Sequence, residues 1–188
     1  MPSLPSGMDE VIKRYFDRFR QSGKLPPELR GKIEGTLVSD QELLEIWRNW
    51  RKGIRYTDST TQAVLMGALD DCLILDDAYI PLDYKTRGYP IRENTHTYYQ
   101  NQLDTYTLLL SENGYSHLSY GYLLFFHPLE CMDQGQFRFH VEPVKVKTEP
   151  ERARQIFLSA VDVLMNEQIP EAGAKCFHCP WAQQTAIA

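Results

Sequence analysis

Apolar and polar positions alternate in two different periods along this chain. Residues 1–7 (MPSLPSG) read as a Pro/Gly/Ser arm. Over 8–22 the apolar residues Val11, Ile12, Tyr15, Phe16 and Phe19 recur at helical spacing, and Gly23 with Pro26–Pro27 ends the run. Ser39 to Glu42 forms an S-x-x-E capping pattern for a second helix with Leu43, Leu44, Trp47 and Trp50 on one face and Arg48, Arg51 and Lys52 on a solvated far side. Residues 53–62 look like a loop. The period then changes to that of strands, over 63–75 and 78–87, around an acidic turn at Asp76–Asp77. Helical spacing returns from Thr95 to Asn113 (Tyr99, Leu103, Tyr106, Leu110), closed by Gly114 as a C-terminal cap. Two further strands follow at 117–127 and 137–147, the first interior because it is apolar almost throughout. Thr148 to Glu151 opens a last helix whose core face is Ile156, Phe157, Ala160, Val161 and Leu164. This order predicts an α/β or α+β sandwich of a mixed sheet between helices.

Composition adds limits. A chain of 188 residues forms one domain with a core of its own, and 43% apolar with 24% charged residues is ordinary for a globular protein. No apolar run approaches the ~20 residues of a membrane span and no signal peptide opens the chain, which predicts a cytoplasmic protein with no membrane contact. Four cysteines make no disulfide scaffold. The net charge of −5 divides unevenly: +3 over residues 1–55, −8 over 56–144 and balance beyond. An acidic centre beside a basic flank suits a metal site next to a phosphate-binding surface; scattered solvated charge gives the same figures.

The chemistry concentrates in residues 65–90. In the second strand Asp83 and Lys85 are two apart and leave the same face, while Ile80, Leu82 and Tyr84 leave the other for burial. If Asp76–Asp77 is a two-residue hairpin loop, Asp70 falls opposite Asp83 and Ala68 opposite Lys85. Two facing carboxylates repel unless a cation neutralises them, and Mg²⁺ takes one or two carboxylates with waters and phosphate oxygens. A slip of one residue would present Asp71 instead. A surface ion pair is the alternative for Asp83 and Lys85. Arg87, two past Lys85 on the same face, is either a phosphate contact or a surface arginine.

In order, G-x-x-D (Gly67 to Asp70), a strand ending D-Y-K-T (Asp83 to Thr86) and Q-L-x-x-Y (Gln102 to Tyr106, i and i+4 on one helix face) resemble the PD-(D/E)XK nuclease superfamily. Within it they are similar to the RecB-like branch, which includes CRISPR-associated RecB-like exonucleases. The resemblance spans roughly residues 63–125 and implies a restriction-endonuclease-like core over 63–168. The helical residues 1–62 would precede this core and a tail, 169–188, would follow it. It implies a deoxyribonuclease dependent on Mg²⁺ or Mn²⁺, with the ion on Asp70, Asp83 and the Tyr84 backbone carbonyl. Lys85 would be the catalytic lysine, and Gln102 and Tyr106 would brace the site or the scissile strand. Relatives add an acidic residue or histidine from an upstream helix; Glu34, Glu42 and Glu45 are the candidates. The partners implied are DNA, as single strands or duplex ends, and a helicase or a CRISPR or recombination protein. A catalytically inactive module that binds nucleic acid or a protein is the competing reading.

Cys176 and Cys179 (C-F-H-C) resemble the C-terminal pair of a four-cysteine iron–sulfur site in some RecB-like nucleases. Such a cluster needs further cysteines. None precedes Cys72, and the abrupt opening fits a chain lacking an N-terminal cysteine segment. The pair would otherwise hold zinc with Cys131 and His178, or nothing. There is no P-loop, dinucleotide fingerprint, H-E-x-x-H or G-x-S-x-G.

Overall fold

The computed structural model describes residues 3–168 together with 170, 171, 173, 176 and 178. Helix α1 (Leu4–Arg20) begins inside the expected arm. Ser3 caps it by accepting the Ser6 N–H, and Pro5 stands in the first turn, where its missing N–H costs nothing. Its face of Ile12 and Phe16 is buried. After a single turn at Pro27–Leu29 come the two-residue strand β1 (Thr36–Leu37) and helix α2 (Gln41–Arg48). Asp40, one residue after the expected Ser39, caps α2 through the Leu43 N–H at 2.9 Å. The helix stops before Trp50, which is exposed.

The segment expected to be a loop, 53–62, instead carries β2 (Ile54–Thr57), which pairs antiparallel with β3 (Val64–Gly67) as a small separate sheet. Its four residues are too few to register as a period. The expected strand 63–75 is therefore two: it breaks at 68–70, where the Leu69 N–H turns to the Trp47 carbonyl, before β4 (Asp71–Leu75). Strand β4 and β5 (Ala78–Thr86) form the expected hairpin. Asp76 and Asp77 both have positive φ, as a tight two-residue turn requires, and the ladder pairs Asp71 with Leu82.

From Thr95 a single 3-10 turn leads into α3 (Gln100–Glu112), which Gly114 ends in a left-handed cap (φ +78) with Tyr115 N–H on the Leu110 carbonyl. The chain returns as β6 (Tyr120–Cys131), parallel to β5, then β7 (Phe137–Lys147), antiparallel to β6. The sheet order is β1-β4-β5-β6-β7, so β6 is interior as expected, although it starts three residues later and runs on to Cys131. Helix α4 (Pro150–Met165) is introduced by Glu149, not Thr148. It buries Ala153 and Val161 with Phe157 half-covered, but Ile156, Ala160 and Leu164 are exposed, so its apolar contact is narrower than its sequence suggests.

Each face of the sheet carries its own core. Ile12, Phe16 and Leu29 pack on Ile80, Leu82, Tyr84, Leu124 and Phe126 on the α1 side. Leu44, Trp47, Leu103, Tyr106 and Leu109 pack on Cys72, Leu123 and Phe125 on the α3 side. A mixed sheet between helices is the restriction-endonuclease-like architecture. Arg48, expected on a solvated face, is instead nearly buried. With Arg20 it encloses the fully buried Asp71: Arg20 donates at 2.8 and 2.6 Å, Arg48 at 3.1 Å and the Tyr84 hydroxyl at 2.5 Å. Asp17 pairs with both arginines, so this network ties α1 and α2 to the hairpin. Among the described residues, no helix is long and apolar enough to cross a membrane.

Candidate active site

The hairpin register decides which aspartate faces which layer. Asp71 turns toward α1, into the arginine pair, and that leaves Asp70, one step earlier, beside Asp83. Asp70 accepts the Tyr84 backbone N–H at 3.1 Å, and its carboxylate lies within hydrogen-bonding reach of Asp83. Asp83 is not on an open face, as alternation alone would have it: α3 covers that side, and Asp83 is 1% exposed.

Helix α3 delivers the rest of the cluster. Gln102 donates to Asp83 Oδ1 at 3.0 Å and to the Tyr106 hydroxyl at 2.7 Å, and accepts from Lys85 Nζ at 2.9 Å. The Tyr106 hydroxyl donates to the Ala68 carbonyl at 2.8 Å, anchoring the helix to the chain just before Asp70. The Lys85 ammonium stands 2.5 Å from Asp83 Oδ2 and 4.7 Å from the Tyr99 ring centre. Gly67 makes this approach possible: a Cβ there would stand 2.7 Å from Leu109 Cδ1 and 3.2 Å from the Tyr106 ring.

Asp83, Asp70, Lys85, Gln102 and Tyr106, all named from sequence, thus form one contact network. Arg87 does not join it; it lies past the end of β5. The upstream acids are not brought to it either. Glu34 is engaged by Lys145 at 2.8 Å and by the Tyr120 hydroxyl at 2.5 Å, while Glu42 and Glu45 are exposed on α2. Cys176 is half-buried, and Cys179 lies outside the described residues. One residue was missed: Lys13 of α1, whose ammonium bridges Asp9 and Asp70, each at 2.8 Å. The Asp9–Lys13 spacing is visible in the sequence as an i, i+4 pair, but its docking on Asp70 depends on how α1 packs.

Burial, and then the Asp70 carboxylate, push the Asp83 carboxyl up to about 7 against the pull of Lys85. For Lys13, burial works to lower the pKa but the pairing with Asp70 and Asp9 outweighs it and raises it. Burial, then the charge of Asp83, also raise the Tyr106 phenol, so it stays a hydrogen-bond donor.

These donors fit a hard divalent cation. Asp83 Oδ2 is buried and makes no hydrogen bond, since Lys85 approaches it at ion-pair distance but out of alignment. A cation there would satisfy that oxygen and remove the repulsion between the two carboxylates. Among the described residues no group of three or more His, Cys, Asp or Glu side chains gathers as a metal cluster.

A three-layered α/β core with paired aspartates, a lysine two residues on and a glutamine–tyrosine helix is an arrangement suited to phosphodiester hydrolysis. The sequence model of the PD-(D/E)XK nuclease superfamily matches residues 6–184, and the chain belongs to that superfamily. Its members are nucleases that typically use divalent metal ions. None of the curated proteins compared with the chain matches it.

Proposed function

We propose that this protein is a RecB-like, Mg²⁺- or Mn²⁺-dependent deoxyribonuclease, acting as an exonuclease in DNA repair, recombination or CRISPR-type processing. The observation that carries the reading is Asp70 beside the buried Asp83, with Lys85 held against Asp83 by Gln102. Carboxylates packed this closely destabilise a domain that only binds nucleic acid, and they repel the phosphates it must attract.

Asp70, Asp83 and the Tyr84 carbonyl would hold the ion. The carbonyl leaves β5 on the same edge as the Tyr84 N–H that reaches Asp70. When bound, the ion polarises the phosphoryl group and lowers the pKa of a water. Lys85 positions that water and stabilises the negative charge that develops on the phosphoryl oxygens. The water gives up a proton as its oxygen bonds to phosphorus, the ester P–O bond breaks, and the departing oxygen takes up a proton, so that one water is added across the bond. Gln102 fixes Lys85 and Asp83 relative to each other, and Tyr106 fixes Gln102 by its bond to Ala68.

The test is cleavage of end-labelled single- and double-stranded DNA with Mn²⁺, Mg²⁺ or EDTA. Cutting that needs the ion and is lost in Asp83→Ala and Lys85→Ala is expected, by a factor of at least ~10². Wild-type protein that cuts no DNA and binds no cation would overturn the reading in favour of a binding module.

A further inference from the structure

Where β5 ends, the chain leaves the site at Arg87 and curls back toward α3 through residues 88–98. This segment encloses a pocket of about 400 Å³, lined by Arg87, Tyr89, Arg92, Glu93 and Tyr98 among others. Two features set it apart. Tyr89 and Tyr98 are 82% and 84% exposed, whereas a tyrosine ordinarily covers most of its ring. Arg87 and Arg92 are also unlike the remaining arginines, which are all engaged by a carboxylate, a carbonyl or an aromatic ring. The guanidiniums of these two have no ion pair, hydrogen bond or ring contact among the described residues. Glu93 is the single carboxylate in the lining, in a protein whose net charge is −5.

The pocket adjoins the catalytic cluster along the chain at two points. Arg87 follows Lys85 by two residues, and Tyr98 adjoins Tyr99, whose ring faces the Lys85 ammonium. We propose that it is a subsite for single-stranded DNA next to the scissile position. Unpaired bases stack on Tyr89 and Tyr98, and Arg87 and Arg92 hold the flanking phosphates. A paired base has both faces occupied by its neighbours in the helix, so blunt duplex gains nothing from these rings. The inference rests on the nuclease reading and narrows its substrate to strands that are unpaired at the site.

The test is fluorescence anisotropy of labelled dT₁₂ with the full chain in EDTA, where no cutting intervenes. Tyr89→Ala and Tyr98→Ala should each weaken binding about 5-fold or more, while Tyr→Phe at both positions keeps it. Blunt-duplex binding should change less than about 2-fold in all of them. Replacing Arg87 and Arg92 by Ala should flatten the salt dependence by roughly 0.7 in slope per phosphate lost. Matched thermal melts ensure that folded variants are compared. The subsite is overturned if the double tyrosine-to-alanine variant binds dT₁₂ like wild type, or if wild type binds an abasic strand equally well. Parallel losses on single strand and duplex, no binding at all, or tighter binding of rU₁₂ than of dT₁₂ overturn it too. Cleavage with Mn²⁺ is read separately. Selective single-strand binding without any cutting would remove the nuclease reading, whereas cutting without the tyrosine effect would remove only this subsite.

Discussion

At the scale of single residues, the site is governed by a carboxyl that resists ionisation. Asp83 has its pKa raised to about 7 by burial and by Asp70. An acid raised in the folded state favours the protonated fold. Its burden on stability therefore grows as pH rises from its ordinary range near 4 to about 7 and is constant above. Two outcomes follow. Divalent-cation affinity, measured by calorimetry, should fall about 10-fold per pH unit as pH drops below 7, because the ion must displace a proton. Asp83→Asn should bind no cation yet melt higher than wild type at pH 8; a lower melting temperature would mean that the charge is better compensated than its surroundings imply. Lys13 acts in the opposite direction. Its ammonium already pairs with Asp70, so it competes with an incoming cation. Lys13→Ala should tighten Mn²⁺ binding several-fold in the same calorimetric experiment, and unchanged or weaker binding would show that Lys13 assists the ion instead. Strand alternation in the sequence sent Asp83 and Lys85 to one face, and an assumed two-residue hairpin set Asp70 opposite Asp83. Nothing local indicated Lys13, since its role comes from where a distant helix lands.

At the scale of elements, the hairpin and α3 are held in register by small distances. Tyr106 reaches Ala68, and Gly67 admits the ring. Gly67→Ala would force Leu109, itself fully buried, and the tyrosine ring to move by a few tenths of an ångström or more. The expected cost is about 1–3 kcal/mol in stability and roughly a tenfold loss of kcat from displaced Gln102 and Lys85, read by urea titration and steady-state cleavage. Full activity with full stability would show that the glycine is dispensable. This glycine was readable as part of a motif, but its reason was not, because the atoms it makes room for lie 39 and 42 residues away. The same limit hid β2 and its pairing with β3. Four-residue strands carry no measurable period, and their partner is known only once Arg55 meets Met66. Turn chemistry was also a weak guide: Asp-Asp is an uncommon pair for a tight hairpin, yet the alternating strands on either side enforced it.

At the scale of the whole molecule, the Arg20–Asp71–Arg48 network joins three elements beneath the site, with every charge matched. Arg20→Ala leaves Asp71 buried with less compensation. It should cost about 3–5 kcal/mol by urea denaturation; a loss below about 1 kcal/mol would mean that Arg48 alone suffices. That network was invisible in the sequence, where Arg48 looked like one more charge on a wet helix. The connection between β5 and β6 has a further effect, on the order in which the protein comes together. Asp70, Asp83 and Lys85 sit on a hairpin closed by two residues, a local structure that zips within microseconds once its strands meet. Gln102 and Tyr106 arrive only when the chain completes the crossover that sets β6 parallel to β5, and such non-local pairing is slow. A newly made chain therefore passes through a stage in which the acidic residues are already adjacent but Lys85 has no glutamine to hold it. The complete cluster of five side chains thus exists only in a chain whose crossover has closed.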